Sequence, residues 1–276
     1  MTTTAPRGTG AVTPGHGNGM PAPRRASIAA RTLRTDRWWL QPLLIVAALV
    51  LFTIYATVRA FQNAHYFSEP YISPFYSPCI TTACEGSSFP ELFTGPTWIS
   101  PALYILVFPL GIRATCYYYR KAYYRSFWLS PPACAVAEPH RRYTGETRLP
   151  LLGQNIHRYA LYAALVINVI LFYDAILAFR DETGAWGHMG LGTLILLANA
   201  VLLFLYSVSC HSCRHIVGGR LNSFSRHPLR YKAWGLVSRL NGRHMHLAWA
   251  SLLSVVLTDL YVLLLATDTI DDLRFF

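Results

Sequence analysis

Charge is scarce in this sequence. Of 276 residues only 13% are Asp, Glu, Lys or Arg, about half the ~25% usual in soluble domains. With 53% hydrophobic residues and a mean hydropathy of +0.29, that scarcity excludes a water-soluble chain. Acids are scarcer than bases, 13 against 24, which leaves a net charge of +11. The bases fall in separated blocks instead of one patch, which excludes the nucleic-acid surface that such an excess would otherwise suggest. Period-two alternation is missing from the apolar runs, which excludes a membrane barrel. Internal repeats are missing too, which argues against a transporter. The first apolar run starts too late, and is too long, for the h-region of a secretory signal.

What is present is a set of five apolar stretches between the basic blocks, at 40–61, 98–117, 157–179, 189–210 and 244–266. Each is near the ~20 residues that a helix needs to cross the hydrocarbon core. Because lipid requires every backbone group to be bonded within its own segment, the fold class is all-α, a polytopic membrane protein. Residues 1–35, rich in Thr, Pro, Gly, Ala and Arg, read as a disordered basic tail. The five-helix domain occupies 36–276.

Orientation follows from charge. The tail and the second-to-third and fourth-to-fifth connections together hold 21 Lys and Arg against three acids, while the other side holds Arg59, Arg180 and Arg274 against ten acids. The positive-inside rule then makes the N-terminus and both basic loops cytoplasmic and the C-terminus external, in the plasma membrane. The long loop after the first span is external, outside the reducing pool, and a disulfide between Cys79 and Cys84 is expected there.

The other cysteines and several histidines gather at the cytoplasmic ends of the spans. Cys210 and Cys213 are three apart and share a helix face; His157 opens the third span and His244 the fifth. Polar faces of membrane helices point into the bundle, so Cys210, Cys213, His157 and His244 are expected to converge, with His246 and Cys116 as alternates. Two thiolates and two imidazoles suit a tetrahedral zinc or a Rieske-type [2Fe–2S] cluster. Two histidines alone would hold a b-type haem and leave the cysteines unused. Arg113, Tyr117 and Trp234 supply the donors near apolar walls that a quinone carbonyl needs.

Asn241-Gly242-Arg243-His244 resembles the Asn-Gly-Ile-Arg-His box of the single-chain membrane anchors of succinate dehydrogenase and fumarate reductase, whose His ligates haem b. The segment Gln154-Asn155-Ile156-His157-Arg158-Tyr159 opens a helix in the corresponding way, and the likeness spans residues 36–276. The di-haem anchors need four intramembrane His at two depths, whereas the first two spans here hold none and His188 alone lies at the outer end. The sequence is most similar to the mycobacterial-type anchors without haem, which implies a membrane-embedded Rieske-type [2Fe–2S] cluster. The resemblance also implies electron transfer to quinone and, as partners, soluble flavoprotein and iron–sulfur subunits docked on the basic loops. It leaves room for a homo-oligomer of the whole complex. The competing class is a non-redox membrane scaffold whose Cys/His group binds zinc or nothing.

Overall fold

The computed structural model describes residues 34–80, 99–136, 151–181 and 183–276. Residues 1–33, most of the expected tail, lie outside the described residues, as does Cys84; Cys79 is disulfide-bonded. The described chain is mostly helical, with one two-stranded hairpin.

Among the described residues, four helices are long and apolar enough to cross a membrane: α1 (Leu40–Gln62), α5 (His157–Leu177), α6 (Leu191–Val208) and α9 (His244–Ala266). At 1.5 Å per residue, the 23 residues of α1 reach ~34 Å, enough for a ~30 Å hydrocarbon core. Helix α1 ends at Asn63, whose left-handed backbone (φ 48°) stops the helical ladder. It is apolar all round, but only Arg59 and Ala60 are buried. Leu43, Leu44, Leu51, Ile54 and Val58 are each more than half exposed, the surface expected of a helix facing lipid.

The second expected span departs from one continuous helix. It forms α2 (Pro101–Ile105) and α3 (Val107–Thr115), separated at Leu106. The reason is Pro109, which has no N–H for the carbonyl of Ile105 and whose ring crowds that carbonyl, so the ladder breaks where α2 ends. The apolar segment Pro101–Thr115 is ~22 Å long at helical rise, short of a full crossing. Helix α4 (Tyr117–Phe127) follows after the extended residue Cys116.

The core lies where α6 packs between α5 and α9. Ala175, Ala178 and Ala200 are fully buried there with Val262. Small side chains let helix backbones approach closely, which drives packing where lipid removes the hydrophobic difference. At one end of the bundle a short antiparallel hairpin, β1 (Phe67–Ser68) with β2 (Tyr71–Ile72), leads into a buried segment. Its Tyr71, Ile72, Phe75 and Tyr76 close that end. Gly192 is required there: a Cβ at this position would stand 2.6 Å from the Tyr71 ring. The C-terminal tail is tied to the same place, because Asp272 accepts from Tyr71 Oη and Tyr261 Oη, each at 2.6 Å, and from the Gly192 amide at 3.0 Å.

One ion pair anchors this end. Arg59 Nε donates to Asp259 Oδ2 at 2.7 Å and Nη2 to Oδ1 at 3.1 Å; Tyr55 Oη and Ser73 Oγ also donate to the carboxylate. Both charges are buried, so removing one strands the other. Asp259→Ala should destabilise the folded chain by about 3–5 kcal/mol. The double change Arg59→Met with Asp259→Leu should recover much of that loss, as read by thermal unfolding of the detergent-solubilised complex.

Between these elements, α7 (His211–Gly218) and α8 (Pro228–Asn241) form a helical hairpin at the opposite end of the bundle. It carries the basic fourth-to-fifth connection.

Candidate metal centre

At the end of the bundle opposite the Arg59–Asp259 pair, two helix breaks bring two cysteines inward. Helix α3 stops at Thr115, and Cys116 is extended (φ −62°, ψ 131°) before α4. Helix α6 stops at Val208, and Cys210 is extended (φ −63°, ψ 146°) as the cap of α7, its sulfur accepting from the Ser212 amide at 3.4 Å. Both thiols are buried and free of disulfide.

Each thiol stands beside an imidazole from the first residue of a long helix. His157, opening α5 after a 3-10 turn at Leu151–Ile156, puts Nε2 2.8 Å from Cys210 Sγ. His244, opening α9, puts Nε2 3.3 Å from Cys116 Sγ.

The second nitrogen of each ring shows which tautomer is held. His157 Nδ1 is 2.8 Å from Thr115 Oγ1, and that hydroxyl already donates its proton to the Gly111 carbonyl at 2.6 Å. Thr115 therefore accepts, Nδ1 carries the proton, and Nε2 turns its lone pair to the thiol. His244 repeats the arrangement: Nδ1 is 2.7 Å from Ser209 Oγ, which donates to the Tyr206 carbonyl at 2.9 Å. Fixing one ring N–H so that the other nitrogen is free is how proteins orient metal-binding histidines. The arrangement is crossed. Thr115 neighbours Cys116 but holds the imidazole facing Cys210, and Ser209 neighbours Cys210 but holds the imidazole facing Cys116.

The surroundings are aromatic and largely buried. Tyr206, fully buried, stacks on His244 with ring centroids 5.1 Å apart and planes within 14°. Trp249 Nε1 donates to Tyr118 Oη at 2.6 Å. Burial holds the Tyr118 phenol above its usual range, although the indole donor works in the other direction. Asn241 Nδ2 donates to the Ser209 carbonyl at 2.8 Å, which ties the end of α8 to the break in α6.

Of the expected Cys210, Cys213, His157 and His244, the structure brings Cys210 to His157, while the thiol beside His244 is Cys116. Cys213 lies half-buried on α7 at the edge of an apolar cluster that includes Cys116 and Tyr206. Burial pushes its thiol up, and it bonds to neither His. His246 is exposed on α9. Among the described residues no three His, Cys, Asp or Glu side chains converge on one point that could hold a metal ion; the four donors come as two pairs.

The residues singled out for a quinone do not come together. Arg113 is turned into the bundle by three hydrogen bonds, to Tyr119, Ala248 and Ser251. Tyr117 is 70% exposed under the Arg120 guanidinium. Trp234 sits in the α7–α8 hairpin against Arg214 and Phe224. Sequence reasoning missed Thr115 and Ser209, for which a signal was present: each ligand-type cysteine at a helix break is preceded by a hydroxyl residue.

The chain matches the family described as actinobacterial succinate dehydrogenase subunit SdhC over residues 40–268. Among solved structures it is similar to a chain of the Mycobacterium smegmatis Sdh1 complex in the apo form. Identity is 55%, the match covers 92% of this chain and 98% of that one, and the TM-score is 0.83. No curated protein matches.

Proposed function

The chain belongs to the actinobacterial succinate dehydrogenase SdhC family and is a membrane-anchor subunit of that complex, and from this premise we propose that Cys116, Cys210, His157 and His244 hold a Rieske-type [2Fe–2S] cluster on the electron path to quinone. The observation that carries this reading is the crossed pairing of two buried thiols with two imidazoles, each held in the tautomer that leaves Nε2 free. A tetrahedral zinc takes four donors about one point. A two-iron cluster takes two donors at each end. Each pair here is mixed, one thiol with one imidazole, whereas Rieske ligation sorts both imidazoles onto one iron; the donor chemistry fits, and nitrogen couplings in the reduced-state EPR spectrum read the sorting.

When bound, such a cluster accepts and passes on one electron at a potential of roughly −150 to +300 mV, within reach of a quinone couple. The rest is the work of this chain. Thr115 and Ser209 keep a proton on each Nδ1, and the Tyr206, Tyr119 and Ala248 walls exclude water. The basic α7–α8 hairpin lies at the same end of the bundle as these residues, which supports a cytoplasmic side for them by the positive-inside rule. That hairpin would dock the soluble flavoprotein and iron–sulfur subunits.

A b-haem between His157 and His244 is the second reading within the same complex. It is disfavoured because each free Nε2 faces a thiol and not an open slot. An optical difference spectrum of the purified complex tests the choice. No haem α-band on dithionite reduction is expected, and a stoichiometric sharp band would overturn the cluster.

A further inference from the structure

Among the described residues, Arg113 is a cation inside the bundle without an acid partner. It is 7% exposed, and all its partners are neutral. Nη1 donates to Tyr119 Oη at 2.7 Å and to the Ala248 carbonyl at 3.2 Å, and Nη2 donates to Ser251 Oγ at 3.1 Å. Its guanidinium carbon lies 4.8 Å from the Tyr206 ring centroid and 5.7 Å from that of Tyr119. Beside it, a cavity of about 100 Å³ is lined chiefly by apolar groups such as Phe52, Leu110, Leu171 and Val255, so little water screens the charge. Arg59, also buried within the bundle, has Asp259.

Arginine cannot shed its proton, so an unpaired guanidinium at this depth costs several kcal/mol unless some other charge answers it. Among the described residues, the groups placed to answer it are those of the Cys/His site. Cys116 is three residues on, its amide donating to the Arg113 carbonyl at 3.2 Å. The Tyr206 ring that Arg113 covers is the ring on which His244 stacks.

We propose that Arg113 is the built-in counter-charge of this site and sets its reduction potential, an inference that rests on the cluster reading above. Two thiolates and an oxidised [2Fe–2S] core of charge +2, with neutral imidazoles, sum to zero. One electron from the soluble one-electron donor takes the sum to −1, and the fixed +1 of Arg113 then balances it. Arg113 therefore favours the reduced form and holds the electron where a quinone can draw on it. Its role is electrostatic, exerted through Tyr206 and the His244 face, and it ligates nothing.

The test is an EPR-monitored redox titration of the intact complex with Arg113→Gln and Arg113→Lys. Arg113→Gln should bind full iron and sulfide yet be reduced at least about tenfold less favourably, a fall of ~59 mV or more for a one-electron couple. Arg113→Lys should stay near the wild-type midpoint. Should the Gln variant fail to assemble, Ser251→Asp places a carboxylate against Arg113 without removing it, and the same fall is expected. A loaded Gln or Asp variant with a wild-type midpoint overturns this inference alone. A wild-type complex with no cluster signal from this chain overturns the reading on which it rests.

Discussion

Cys116→Ser is expected to abolish the metal centre, and Cys213→Ser to leave it intact. Cys116 is 1% exposed, with its sulfur 3.3 Å from the free nitrogen of His244. Serine keeps the volume but offers an alcohol in place of a thiolate that a soft metal requires. The whole cluster should be lost, and succinate-to-quinone turnover should fall by well over the ~10–100-fold typical of changes to outer-shell partners. Cys213 faces neither imidazole, so its replacement should leave iron content and turnover within twofold of wild type. Iron per complex and quinone-reductase rate, measured on both variants in parallel, check this. Loss of iron in Cys213→Ser with retention in Cys116→Ser would reverse the assignment.

Replacing His157 and His244 together with Ala should have the second largest effect, removing quinone reduction while the complex still assembles. The bundle does not depend on either ring. Its core is the packing of α5, α6 and α9 around Ala175, Ala200 and Val262. Each substitution deprives one hydroxyl, of Thr115 or Ser209, of a donor, at about 1 kcal/mol. Electron transfer from succinate to a soluble dye should persist, because the expected succinate-oxidising flavin is in another subunit. Size-exclusion chromatography and the two activities on one preparation separate these outcomes, and retained quinone reduction would refute the ligand assignment.

The spans could be read in the sequence because lipid imposes length and apolarity on a helix, and α1, α5, α6 and α9 all begin or end within a few residues of the apolar runs. The second span could not be read as well. A run of apolar residues conceals a broken helix, although Pro109 marks the place. The same limit applies to the thiol beside His244. Pairing Cys210 with Cys213 assumes that α6 continues through both, and the face arithmetic fails once Cys210 is extended. Cys116 stands in the sequence only as an alternate, since its extended backbone, and so its approach to His244, depends on a helix break that periodicity does not show. The places of His157 and His244 are legible in the sequence because each opens an apolar run, and the structure starts α5 and α9 at those residues.

The central claim is that two thiols and two imidazoles of this chain hold two irons and two sulfides. Quantifying iron, acid-labile sulfide, zinc and haem in the wild-type complex and in the His157→Ala/His244→Ala complex tests it most directly. The account predicts that the variant lacks two irons and two sulfides per complex relative to wild type, with neither preparation holding stoichiometric zinc or haem. Equal iron and sulfide in the two preparations, or stoichiometric zinc lost with the histidines, would contradict it.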